Sequence, residues 1–359
     1  MNYKYLILCI ALATAGFNCS AQITIKSNDP HIQYMGRVNV QDTAAVLSWS
    51  GTTVKINFEG TGISYKMRDE RGDNFYNVLL DGDIIRKEQV TIDGKSEHAI
   101  TGLNSGKHTL ELFKRTEWDK GKTWFYGFTI DKGGKALPVM PASKHKIEYF
   151  GDSISCGYAA EDSTGQDRGT APYEDGYISY AALTARHFNA DFHNTSKSGI
   201  GITVSWFPLV MPEMYDRLDA TDSTSKWDFS KYTPDLVVIN LFQNDSWLTE
   251  MPNNPQFKAK FGATKPTPEF IINAYRSFVA SVRGKYPKVH IICILGSMDA
   301  TKAGSPWPGY IQKAVDGLND KNIYTHFIPY KNTPGHPSVK EQQAMADDLE
   351  VFVAKNMNW

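Results

Sequence analysis

Four short segments of this chain carry residue types that, brought together, would perform acyl transfer. Gly151-Asp152-Ser153-Ile154-Ser155 follows the apolar run Ile147-Glu148-Tyr149-Phe150. A serine on such a tight strand-to-helix turn presents its hydroxyl, and the amides beside it stabilise negative charge. Ser198-Gly199-Ile200-Gly201 offers glycines that let the backbone approach a ligand, with a bare N–H for an oxyanion. Asn240-Leu241-Phe242-Gln243-Asn244-Asp245 supplies a side-chain amide donor at Asn244. Gly335-His336-Pro337-Ser338 places a histidine just ahead of a helix whose first turn suits Pro337. Each segment alone has an ordinary explanation: a helix cap, a turn, an Asx turn, a structural histidine. Their conjunction assigns Ser153 as nucleophile and His336 as its base. The oxyanion donors are then the Ser153 and Gly199 amides and the Asn244 side chain. Asp152 reads as structural, ordering its turn.

These residues need a scaffold that gathers loops at one edge. Compact apolar strands are predicted at 146–150, 191–195, 235–241, 289–295 and 323–328, with helices over 177–188, 268–286, 311–318 and 339–356. In the last of these, Met345, Leu349, Phe352 and Val353 share one helical face. Alternating strands and helices imply a mostly parallel sheet covered on both faces, an α/β/α three-layer domain, with its site at the carboxyl ends of the strands. The four segments follow such ends. Trp206, Trp247 and Trp307 lie in loops after the second, third and fourth strands. With Phe242 they are candidate substrate-binding faces, although burial is the commoner fate of tryptophan.

The preceding stretch has another texture. Val54-Lys55-Ile56-Asn57-Phe58, Tyr76-Asn77-Val78-Leu79-Leu80, His108-Thr109-Leu110-Glu111-Leu112-Phe113 and Thr123-Trp124-Phe125-Tyr126-Gly127-Phe128 are short strands separated by Gly- and Asp-rich turns. That spacing predicts an all-β sandwich or jelly roll over 22–134. Gly133-Gly134, Pro138 and Pro141 mark a linker over 135–145, and the catalytic domain takes 146–359.

The 359 residues are 41% hydrophobic and 21% charged, with a net charge of -1, which gives no electrostatic reason to expect nucleic acid or an anionic membrane as partner. Lys4, the apolar run from Tyr5 to Phe17 and the small residues Ser20-Ala21 have the order of a secretory signal peptide over 1–21. A secreted or periplasmic protein is expected, with lipidation at Cys19 disfavoured by Gly16-Phe17-Asn18. No later segment reads as a membrane span. Cys156 and Cys293 then remain; Cys293 lies within an apolar strand, so free thiols are favoured over a disulfide. No spacing suggests a metal, and no cofactor is expected. Oligomeric state is not legible.

The Gly-Asp-Ser block, the glycine, the Asn-Asp pair and the late His-Pro resemble the SGNH (GDSL-type) hydrolases. More narrowly, 146–158, 180–186 and His336-Pro337-Ser338-Val339 resemble carbohydrate esterase family 2, as do Gly60-Thr61-Gly62 and Leu80-Asp81-Gly82 in the β-domain. The resemblance implies an esterase that removes acetyl groups from plant-type polysaccharide (xylan, mannan or glucomannan) without a metal. Two departures stand out. The superfamily places an Asp three residues before the His, and here that residue is Thr333. The resemblance implies that a backbone carbonyl of Thr333, Pro334 or a neighbour orients His336 instead. Phe242 stands where the block has Gly, which predicts a narrowed site or a stacking face. The rival readings are a non-catalytic carbohydrate-binding protein with a decayed hydrolase domain, and an SGNH lipase or thioesterase.

Overall fold

The computed structural model describes residues 21–94 and 97–359. Among these, the first ten strands pair antiparallel: β1 Ile23–Lys26, β2 Ile32–Met35, β3 Val38–Val40, β4 Ala45–Leu47, β5 Thr53–Asp69, β6 Phe75–Leu80, β7 Asp83–Gln89, β8 Glu97–Lys114, β9 Thr123–Ile130 and β10 Lys135–Leu137. The long strands β5 and β8 run side by side, with a register shift between Gly60 and Gly62. Before the shift β5 pairs on its other edge with β2 and β10; after it, with β9. One strand pair thus serves two layers, which close on Val54, Ile56, Phe58, Ile63, Tyr65 and Met67. β10 pairs with β5, so the expected linker loses its first three residues to the β-domain.

The second domain is a five-stranded parallel sheet in the order β12-β11-β13-β14-β15. Its strands are β11 His145–Gly151, β12 Ala190–Ser196, β13 Leu236–Asn240, β14 His290–Leu295 and β15 Ile323–Phe327. The helices are α1 Ser153–Cys156, α2 Tyr180–His187, α3 Met211–Met214, α4 Gln243–Leu248, α5 Pro255–Phe261, α6 Pro268–Lys285, α7 Trp307–Asp316 and α8 Val339–Met357. β13 is buried along its length because both faces are covered: Val237 and Ile239 pack towards α6 and α7, Leu236 and Val238 towards α2 and α8. α6 shows why these helices form. The Thr267 hydroxyl accepts the Phe270 amide at 3.2 Å, Pro268 takes the first turn, and Ile271, Tyr275, Phe278 and Val282 fill one face.

A buried seam joins the domains. Arg37, from the β-domain, reaches Glu148 of β11 at 2.5 Å and donates to the Tyr215 and Arg217 carbonyls. The Tyr286 hydroxyl donates to the other Glu148 oxygen. Both charges are fully enclosed; each Glu148 oxygen accepts a hydrogen bond, while Arg37 Nε has no partner among the described residues. Trp49 adds an Nε1–H donated to the Leu218 carbonyl at 2.9 Å.

Candidate active site

The carboxyl ends of β11, β12 and β13 and the segment after β15 converge as the sequence predicted, so Ser153, Gly199, Asn244 and His336 come to one edge of the sheet. Asp152 caps α1, its Oδ1 accepting the Ile154 amide at 3.0 Å, and this presents Ser153 at the first helical position. Ser153 is 4% exposed and its Oγ lies 2.9 Å from His336 Nε2.

What orients His336 differs from the expectation. The Thr333 and Pro334 carbonyls accept instead from Lys331 Nζ, at 2.9 and 3.0 Å. The group on His336 Nδ1 is Asp167, with Oδ2 at 2.9 Å and Oδ1 at 3.0 Å, and Asp167 Oδ1 also accepts the His336 backbone N–H at 2.8 Å. A carboxylate there favours a proton on Nδ1 and leaves Nε2 to accept from the serine. Partial burial pushes the Asp167 carboxyl up, but the His336 hydrogen bonds and charge outweigh it and hold the group below its ordinary value. Asp167 has φ 56°, and the Tyr158 ring, 4.5 Å from the imidazole, backs the pair. Gly169 lies flat on that tyrosine: a Cβ there would fall 1.7 Å from Tyr158 Cζ.

Sequence reasoning missed Asp167. The signal available was the polar stretch Glu161–Gly169 inside a long connection between α1 and α2, of a length that is usually functional.

On the other side of Ser153, the Ser153 and Gly199 amides donate to no protein acceptor among the described residues. Gly199 has φ 81°, and a Cβ there would press on Phe207 at 3.1 Å and Trp206 at 3.3 Å, so the position requires glycine. Asn244 Nδ2 donates to the Ile200 carbonyl at 2.9 Å and reaches Asp152 Oδ2 only at 3.4 Å, while its Oδ1 accepts Trp206 Nε1–H at 3.1 Å. Its neighbour Asp245 is fully buried and accepts the Ile202, Thr203 and Val204 amides and the Thr203 hydroxyl. Burial raises the Asp152 carboxyl to about 7, with the Asp245 and Glu117 charges acting the same way against the Ile154 amide.

The aromatic candidates divide. Trp206 is 44% exposed beside Gly199. Trp247 is half-buried, with its Nε1–H on Asp299 Oδ2 at 3.0 Å. It lines a cleft of about 570 Å³ with Asp167, Tyr330, Lys331 and His336. Phe242 and Trp307 are core residues, 0% and 6% exposed, with ring centroids 5.0 Å apart; Phe242 also packs on Tyr275. The expectation that they face a substrate is therefore corrected. Phe242 adopts φ 95° at the head of α4, a conformation unusual for a bulky residue and held here by complete burial. A larger cavity of about 630 Å³ lies on the domain seam at the opposite, amino end of β12 and has no part in this site.

Cys156 and Cys293 are both buried and free. The Glu117, Asp119 and Glu174 carboxylates cluster within 4.8 Å, but the Lys120 ammonium already sits among them, 3.0 Å from Asp119 and 3.1 Å from Glu174. No described helix is long and apolar enough to cross a membrane. The leader expected over 1–21 lies outside the described residues except for Ala21.

Residues 34–141 match the carbohydrate esterase 2 N-terminal domain, and residues 149–324 match the GDSL-like lipase/acylhydrolase family. The cellulase/esterase CelE of Acetivibrio thermocellus is 32% identical over 348 residues, 94% of this chain but only 41% of that protein. The chain therefore spans less than half the length of that relative. An acetylxylan esterase/glucomannan deacetylase of Cellvibrio japonicus is 25% identical, covering 95% of this chain and 93% of its own. A family two carbohydrate esterase from Clostridium thermocellum, solved in complex with cellohexaose, is 32% identical with a TM-score of 0.79, covering 91% of this chain and 99% of that one. Fold and matches define the class, an SGNH-type carboxylic ester hydrolase. The chain belongs to carbohydrate esterase family 2.

Proposed function

We propose that the protein removes O-acetyl groups from plant-type polysaccharide (xylan, mannan or glucomannan) through an acetyl-enzyme on Ser153. The observation that carries this reading is the relay Ser153 Oγ to His336 Nε2 at 2.9 Å and His336 Nδ1 to Asp167 at 2.9 Å. His336 takes the serine proton as Oγ attacks the acetyl carbonyl, and Asp167 stabilises the imidazolium that forms. The oxyanion is received by the unengaged Ser153 and Gly199 amides. The second Asn244 N–H, held only by the long contact to Asp152, completes the set. As the tetrahedral intermediate collapses, His336 returns the proton to the departing sugar hydroxyl. It then activates water, whose attack releases acetate and restores Ser153. The net charge of -1, the exposed Trp206 and the half-buried Trp247 at the cleft suit a neutral sugar chain. The activities named for the Cellvibrio japonicus relative support acetylated xylan and glucomannan as first substrates.

Acetate release from acetylated xylan, acetylated mannan and aryl esters of acetate and longer acids, measured beside Ser153→Ala, tests the proposal. Release from polysaccharide that disappears in the variant, with acetate preferred, is the expected result. Folded protein that releases nothing would make the chain a carbohydrate-binding module. A preference for long acyl chains would make it a lipase. Export through the residue 1–21 leader completes the proposal, and amino-terminal sequencing of secreted protein beginning at Gln22 checks it.

A further inference from the structure

The segment that joins β8 to β9 carries two buried side chains that reach into the catalytic domain on opposite sides of Ser153. Arg115 is 2% exposed. Its guanidinium donates to Glu161 at 2.5 Å and to the Glu174 carbonyl at 3.2 Å, and pairs with Asp175 at 2.8 Å. Its own carbonyl accepts the Gly176 amide at 2.8 Å. Lys87 of β7 adds bonds to Glu161 at 2.8 Å and to the Pro172 carbonyl at 2.5 Å. All these partners lie on the α1–α2 connection that bears Asp167. Next to Glu161, Asp162 and Arg168 close that connection with a two-pronged pair at 2.7 and 3.1 Å, which fixes the neighbouring Asp167. Two residues after Arg115, Glu117 is 0% exposed, and its Oε2 accepts the Ser198 amide at 2.8 Å. Ser198 precedes Gly199, the oxyanion donor of the proposed mechanism. Lys114 secures the segment from beneath, its buried ammonium donating to the Thr116 carbonyl at 2.7 Å.

We infer that the β-domain is a working part of the esterase site: Arg115 and Lys87, acting through Glu161, position Asp167 and hence His336, while Glu117 positions the Gly199 oxyanion donor. This rests on the esterase reading above and extends it. None of the four residues touches the reacting atoms, so they are positioning residues. A plain adhesive role would stabilise the seam without affecting catalysis. Displacing a reacting group by about 1 Å costs on the order of 100-fold in rate, so modest slackening at either tether registers in turnover.

Arg115 holds several partners at once, so the test uses Glu161 and Glu117, one on each side of Ser153. Glu161→Ala and Glu117→Ala are assayed on an aryl acetate, which needs no glycan contact, with thermal unfolding followed in parallel. Each is expected to lower kcat about tenfold or more while KM stays within about twofold and the cooperative transition is retained. Glu161→Gln and Glu117→Gln, which keep an acceptor oxygen, should recover most of the rate. Glu59→Ala, in an exposed β-domain ion pair with Lys135, is the unaffected control. Values of kcat within about twofold of wild type in both alanine variants, or losses confined to KM, would overturn the inference. Ser153→Ala in the same assay separates the two claims: if it retains activity, the esterase reading fails instead.

Discussion

On the oxyanion side of Ser153, Asn244 and Asp245 are 2% and 0% exposed, and Asp245 alone gathers three backbone amides and a hydroxyl from the facing loop. On the base side, Asp167 has a third of its side chain in water, sits at φ 56° on an irregular connection and meets His336 across 169 positions of sequence. The first arrangement is packed into the end of a sheet. The second is assembled from a loop held at its margins. In the proposed mechanism the oxyanion donor, which must stay still during the reaction, is built into the core. The proposed base, which must take and return a proton, is set by a partner on a partly exposed connection.

The sharpest test of this contrast is Asp167→Asn. An amide in that place disturbs the tautomer that leaves Nε2 free, and turnover should fall by on the order of 10³ to 10⁴ with little change in unfolding midpoint. A loss below tenfold in a kcat measurement would leave His336 to orient itself. Because the Asp167 carboxyl is held below 3.8, whatever stability the pair contributes is present above that pH and is lost as pH falls through the lower folded value. An acid-unfolding curve of Asp167→Asn should lack that part. The opposite side is broken with Asn244→Ala, which should lower kcat about 100- to 1000-fold while KM is kept. Here the unfolding midpoint should also drop, since the Ile200 carbonyl and Trp206 Nε1–H lose their partner. Equal effects on stability from both variants would erase the distinction.

The contrast also explains what was legible in the sequence. Ser153, Gly199, Asn244 and His336 each stand a few residues past a strand or before a helix, so periodicity alone places them at one sheet edge. Asp167 belongs to no periodic element. Its role depends on Arg115 and Lys87 holding a loop from another domain, a long-range contact that no local pattern encodes. The same limit misplaced the aromatics. Trp247 and Trp307 both follow strand ends, but Trp307 opens α7 and turns inward onto Phe242, while Trp247 remains at the cleft. Phe242 read as a site residue because glycine was expected there. The chain instead pairs an unusual backbone conformation with a ring locked between Tyr275 and Trp307.

A smaller effect sharpens the picture outside the reacting atoms. Trp247, anchored by Asp299 and bordering the Asp167–His336 side, is where the proposed function would seat a sugar ring. Trp247→Ala should raise KM for acetylated polysaccharide about tenfold, in the range of losing one aromatic stacking contact, and leave an aryl acetate unaffected. An equal loss on both substrates would return Trp247 to the wall of the core.

Asp152 lies between the two sides and gives the most delicate test. It caps α1 beneath the nucleophile and faces Asn244 across 3.4 Å, wholly enclosed, with its carboxyl raised to about 7 by burial and by the nearby Asp245 and Glu117 charges. A carboxyl raised on folding is most compatible with the native state while protonated. Native stability therefore falls as pH rises from its ordinary 3.8 through about 7 and is not recovered above it. Asp152→Asn keeps the acceptor for Ile154 and never ionises. The excess of its unfolding midpoint over wild type should be larger at pH 9 than at pH 5; a difference of on the order of 1 kcal/mol separates midpoints by about 2–4 °C. If the gap is the same at both pH values, Asp152 is ionised throughout and its charge is met by the Ile154 and Asn244 donors. The oxyanion amide would then be tied more firmly to the nucleophile's turn than to the loop of Ile200.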